Sequence, residues 1–127
     1  VVYVTTRQTY DHAARRPYAG GLFVSRDAGR TWESLLAFRF VTSVAVSPTD
    51  SRTLYVSTTD HPYHDAYPAE GVLKSVDGGR TWQHENTGMS HRGVQSVAID
   101  PHDPARIYAC TSGNSVFVGR DARPQAK

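Results

Sequence analysis

The sequence predicts an all-β protein assembled from a repeated four-stranded unit, and three observations carry that expectation. First, separate segments recur at one period. Gly21 to Trp32 (GLFVSRDAGRTW) returns 50 residues later as Gly71 to Trp82 (GVLKSVDGGRTW). Val41 to Pro48 (VTSVAVSP) returns 53 residues later as Val94 to Pro101 (VQSVAIDP). Tyr3, Tyr55 and Tyr108, spaced 52 and 53 apart, each centre a short β-branched run. Second, these segments are brief, rich in Val, Ile, Tyr and Thr, and bounded by Gly, Pro, Asp and Ser, as strands are. Third, no window sustains a helical period, and the stretch from Glu33 to Phe40 is too short and too aromatic to argue otherwise.

The elements follow in order within each period. Strand A is expected at 41–47 and 94–99, and its small apolar residues suit an inner strand buried on both faces. Strand B falls at 2–6, 53–58 and 106–111. Strand C covers 21–26, 71–76 and 115–119, and strand D covers 31–35 and 81–85. Four antiparallel strands per period of about 50 residues are the dimensions of a β-propeller blade. The chain reads as a single partial propeller domain with blade portions at about 1–36, 37–88 and 89–121, followed by a polar tail at 122–127. Ten strands make about two and a half blades, so the ring is incomplete. The first blade lacks an inner strand and the last an outer one. Bare sheet faces and edges need cover, with Val44, Val46, Tyr55, Val97, Ile99 and Tyr108 as the face residues. The expected partners are the remaining blades, from a longer parent chain or from identical subunits.

Composition excludes several function classes. With 127 residues, 39% hydrophobic and 20% charged, the chain is of soluble globular type. No apolar run approaches the roughly 20 residues of a membrane span, so no membrane insertion is expected. A net charge of +2 provides no electrostatic footprint for nucleic acid. The lone Cys110 excludes an internal disulfide and a cysteine-rich metal site, and its strand context reads as a small buried apolar residue.

The most specific motif is Ser-x-Asp-x-Gly-x-Thr-Trp. It occurs at Ser25, Asp27, Gly29, Thr31 and Trp32, and again at Ser75, Asp77, Gly79, Thr81 and Trp82. In a tight turn the aspartate accepts from backbone N–H groups, the glycine takes a positive φ, and the tryptophan covers the neighbouring strands. A third copy, Val116 to Asp121, keeps the aspartate but has Gly119 in place of the serine and no Gly-x-Thr-Trp. The motif resembles the Asp-box, or BNR repeat, of sialidase-like, sortilin-like and xyloglucanase-like propellers. That resemblance implies a structural role for the box, on the face away from the ligand site. It also implies a secreted or periplasmic protein without a cofactor.

In such propellers the ligand face carries the B–C and D–A loops. Both B–C loops here are long and share a composition of Tyr, His and Asp. The first contributes Tyr10, Asp11, His12, Arg15, Arg16 and Tyr18, and the second His61, Tyr63, His64, Asp65 and Tyr67. The D–A connections add Arg39, His91 and Arg92. Tyrosine offers a flat stacking surface, and Asp, His and Arg offer directed hydrogen bonds. The spacing of His61, His64 and Asp65 matches no zinc pattern, so no metal is expected. The leading expectation is a recognition module for a glycan or a protein segment. One alternative is part of a sialidase-like or xyloglucanase-like glycoside hydrolase. The other is a structural propeller subunit in a larger assembly. No family catalytic motif matches position by position, and no catalytic residue is assigned.

Overall fold

The structure, a computed structural model, describes residues 1–60, 69–113 and 115–121. Among them it contains twelve strands and no helix. These are β1 (Val2–Thr6), β2 (Thr9–Asp11), β3 (Arg16–Tyr18), β4 (Gly21–Ser25), β5 (Glu33–Ala37) and β6 (Val41–Val46). They continue with β7 (Leu54–Thr58), β8 (Val72–Ser75), β9 (Gln83–His84), β10 (Val94–Ile99), β11 (Arg106–Thr111) and β12 (Val116–Arg120). Three antiparallel sheets follow the repeat, in the orders β1-β4-β5, β6-β7-β8-β9 and β10-β11-β12. The middle sheet has all four strands. The first lacks the A strand and the third lacks the D strand.

Period-2 alternation decides which side chains meet between sheets. Leu22, Val41, Val56 and Leu73 form the cluster between the first and middle sheets, with Tyr3, Leu35, Val44 and Trp82 packed on it. Tyr55, Val72, Val94, Val97, Ile107 and Ala109 form the cluster between the middle and third sheets. Val44, Tyr55, Val97 and Ile99 are therefore interior residues, not the open-face residues the repeat count suggested. The open faces carry others: Val2 and Val4 on the first sheet, Val116 and Val118 on the third. Burial also departs from expectation along the strands. β7 and β8 are buried throughout, whereas the A strand β6 is mostly half-buried. Strands B and C are central in a sheet packed on both faces, while strand A is its edge.

The inner strands are tied by hydroxyls, since sheets stacked face to face share no backbone ladder. Thr42 donates to Val94 O (2.7 Å) and so accepts from Ser57 Oγ (2.7 Å). Ser57 in turn accepts from Ser43 Oγ (2.7 Å), which itself accepts the Val97 N–H (2.8 Å). Each hydroxyl has one proton, so a single direction of donation satisfies the chain. Ser57 is fully buried at its centre.

The two repeated turns are nearly superposable in their bonding. In the first, Ser25 Oγ donates to Asp27 (2.8 Å) and accepts the Gly29 N–H (2.8 Å), and Asp27 accepts Thr31 N–H (2.8 Å) and Oγ1 (2.6 Å). Ser75, Asp77, Gly79 and Thr81 repeat the pattern at 2.8, 2.8, 2.9 and 2.5 Å. Both glycines need their freedom, with φ of 88° and 91°. The tryptophans differ. Trp82 donates to Gly79 O and also to Leu35 O of the preceding sheet, both at 3.1 Å, and is partly buried. Trp32 reaches only its own Gly29 O and stays 46% exposed, because no sheet lies on that side. The expectation that Trp32 buries its ring fails for that reason.

Donors aimed at both aspartates, the threonine side chain foremost, hold their carboxyls low, Asp27 to about 2 and Asp77 further still. A depressed folded-state pKa stabilises above the ordinary value of 3.8 and loses that contribution as pH falls. The thermal midpoint is expected to drop between about pH 4 and pH 2. In the double variant Asp27→Asn, Asp77→Asn that part of the pH dependence should flatten, measured by calorimetry. An unchanged acid limb in the double variant would show that the turns do not carry it.

Candidate functional site

Loops segregate to two ends. At one end B–C and D–A segments bind each other: the Gln8 N–H donates to Arg39 O (2.6 Å), Thr59 N–H to Phe40 O (3.0 Å) and Ser112 N–H to Gly93 O (2.9 Å). At the other end A–B and C–D segments meet, as where the Gly78 N–H donates to Arg52 O (2.9 Å). The repeated turns thus lie opposite the roots of the B–C segments.

The first B–C loop is not irregular. It projects a hairpin, β2–β3, in the register Thr9↔Tyr18, Tyr10↔Pro17 and Asp11↔Arg16. Its root is pinched where a Cβ on Gly20 would stand 2.2 Å from Arg39 O, so only glycine fits. The register sends Asp11, Arg16 and Tyr18 to one side and Tyr10 and His12 to the other. Asp11 closes the tip by accepting Ala13 N–H (2.9 Å), Ala14 N–H (3.0 Å) and Tyr18 Oη (2.9 Å). These donors, the Ala14 amide foremost, lower its pKa and keep it charged. The Arg16 guanidinium lies 5.7 Å from the Tyr18 ring centroid, a cation–π contact. Behind it, Tyr10 and His12 meet edge to face at 5.1 Å. Arg15 takes the left-handed conformation, φ 53°, which turns the tip.

The hairpin therefore brings together Tyr10, Asp11, His12, Arg15, Arg16 and Tyr18. The predicted D–A residues sit lower on the same end. Arg39 belongs to the hairpin root, and His91 packs over Gly93, whose added Cβ would stand 2.9 Å from His91 Nε2 and 3.5 Å from Asp60 Oδ1. Arg92 is exposed. His61, Tyr63, His64, Asp65 and Tyr67 lie outside the described residues. Asp60, which like His91 flanks Gly93 and stands at the start of the second loop, was missed by sequence reasoning. Its signal was only its position after a buried strand. Among the described residues no cluster of His, Cys, Asp and Glu is placed to hold a metal ion. Cys110 is half-buried rather than buried.

A buried pair elsewhere was also missed. Lys74, 1% exposed, donates to Asp121 of the third sheet, and Tyr55 Oη donates to the same carboxylate (2.9 Å). The ammonium lies 5.3 Å from the Tyr55 ring centroid.

Stacked, repeated antiparallel sheets with loops sorted to two ends define partial β-propeller blades. No family model matches the chain, and no curated protein matches it by sequence. Among solved structures it is similar to the GH74 xyloglucanase from Xanthomonas campestris, with a TM-score of 0.61 and 20% identity. The match covers 89% of this chain and 18% of that one, so the chain spans less than a fifth of its structural relative. At that identity the likeness speaks for the fold. No helix among the described residues is long and apolar enough to cross a membrane.

Proposed function

We propose that the chain is part of an Asp-box propeller that binds a glycan through its B–C and D–A loop face, outside the cytoplasm and alongside further blades. The observation that carries this reading is the β2–β3 hairpin. It lifts Tyr10 and Tyr18, 49% and 48% exposed, off the face, one ring on each side. Asp11 and Arg16 are fixed beside Tyr18, so a sugar ring stacked there meets both an acceptor and a donor. The relative named as a xyloglucanase favours a glycan over a protein segment as the ligand.

Calorimetric titration with xyloglucan oligosaccharides tests the reading. Tyr10→Ala and Tyr18→Ala should each weaken binding about 3- to 10-fold, the worth of one stacking contact. Binding that is unaffected by both substitutions, or absent for every glycan tried, would overturn it.

Hydrolysis is the second reading, supported by the same relative. It requires a raised-pKa carboxyl as general acid opposite a second carboxylate. Asp11 has the opposite tuning, so within a hydrolase it would orient a substrate hydroxyl rather than deliver a proton.

A further inference from the structure

Positive charge is concentrated on the β2–β3 hairpin and its root. Arg7, Arg15, Arg16 and Arg39 stand there with Asp11 as the one carboxylate among them. Four positive charges against one negative leave an excess of three, more than the +2 of the whole chain. All four arginines are exposed. Arg15 and Arg16 form the tip, where Arg15 holds a left-handed φ of 53° that glycine would take more readily. Arg7 bridges to Phe40 at the root, beside the bond from the Gln8 N–H to Arg39 O. At roughly 3.3 Å per residue, Arg7 lies about 13 Å below the level of Asp11.

Elsewhere arginines reach carboxylates: Arg26 pairs with Glu33, Arg106 with Asp100 and Arg120 with Asp103. Among the described residues Arg7, Arg15 and Arg16 make no such pair. Asp11 leaves Arg16 unpaired although the register sets the two opposite each other. Its carboxylate is held instead by the Ala13 and Ala14 amides and the Tyr18 hydroxyl. Arg16 lies over the Tyr18 ring, a contact that uses its charge and none of its five N–H donors. Asp11 Oδ2 accepts only the Tyr18 hydroxyl, and a carboxylate oxygen has room for two donors. The hairpin thus sets a row of cations needing an acid beside one acceptor needing a hydroxyl.

We propose that the loop face takes an acidic polysaccharide, a chain of sugars bearing carboxylate or sulfate groups, laid along the hairpin from tip to root. One acid group meets the Arg16 fork, whose planar donors match two oxygens at once. A neighbouring sugar hydroxyl donates to Asp11, and a further acid group meets Arg7. The spread of the cations favours a chain over a single small anion. An acidic peptide or a polyphosphate would set anions against Asp11 with no hydroxyl for it, and a neutral glycan would leave the arginines unmatched. The inference rests on the loop-face reading and names the chemistry of its ligand.

Calorimetric titration of the 127-residue chain compares an oligogalacturonate, a sulfated carrageenan oligosaccharide and a neutral xyloglucan oligosaccharide of similar length. At least one acidic chain should bind about tenfold or more tightly than the neutral one, and which of the two does so tells carboxylate from sulfate. Raising the salt from about 0.05 M to about 0.5 M should weaken the acidic chain about fivefold or more and the neutral one little. In the triple variant Arg7→Gln, Arg15→Gln, Arg16→Gln the acidic chain should fall to the affinity of the neutral one. The three side chains are exposed, and far-UV circular dichroism verifies that the variant keeps its strands. Equal affinity for acidic and neutral chains would overturn the inference and leave the loop-face reading in place. Tighter binding of a poly-glutamate peptide or of an oligonucleotide than of either acidic glycan would overturn the inference too, since charge alone would then suffice. Binding of none of the three glycans would overturn the loop-face reading with it.

Discussion

Asp121→Ala is expected to destabilise the chain by about 3–5 kcal/mol, because it strands the Lys74 ammonium inside the protein. Lys74 is 1% exposed, and Asp121 of the neighbouring sheet is the carboxylate that neutralises it. The favourable placement over the Tyr55 ring cannot replace a full counter-charge at 5.3 Å. Replacing both partners with apolar side chains, Lys74→Met with Asp121→Val, should restore most of the loss, since a buried pair is worth little against a packed isostere. The first sheet has Val24 at the position of Lys74, buried to 1%, so an apolar side chain suits that site. Denaturant unfolding at one fixed protein concentration gives both values. A loss below about 0.5 kcal/mol for Asp121→Ala, the range of a surface change, would mean that the third sheet is not packed on the middle one.

Trp82→Ala should cost about 3 kcal/mol, at the lower end for removing a packed tryptophan, because the ring is only partly buried. It deletes the cover of the first inter-sheet cluster and the bond to Leu35 O. The same change at Trp32 should cost far less, since that ring touches no other sheet and is 46% exposed. Two tryptophans in matching motifs thus separate by context alone. Equal costs would show that the indole serves its own turn and not the neighbouring sheet.

Much of this fold was legible because a propeller blade writes its period into the sequence. The tyrosines at 3, 55 and 108 and the paired turn motifs placed every strand that the repeat contains, and the turn bonding followed from residue type. Other features depended on what lies across a gap in sequence. Lys74 is one residue before a motif serine, and nothing local tells that Asp121, 47 positions away, will neutralise it. The hairpin β2–β3 was read as loop because its tip turns on Arg15 at φ 53° rather than on glycine. The site residues on that hairpin were legible as a composition, but their division onto two sides came only from the register. Trp32 was misjudged since, among the described residues, no sheet of this chain lies on that side of it.

We propose that these sheets are ring segments whose outer faces need further blades. Val2, Val4, Trp32, Val116 and Val118 stand exposed on the two end sheets. Burying each such side chain contributes roughly 1.5–3 kcal/mol, against a domain stability of only about 5–15 kcal/mol. Light scattering during a thermal melt of the 127-residue chain at micromolar concentration tests this most directly. The expected result is an assembly larger than one chain, or a monomer that melts without cooperativity. A cooperatively melting monomer of 14.0 kDa would contradict it.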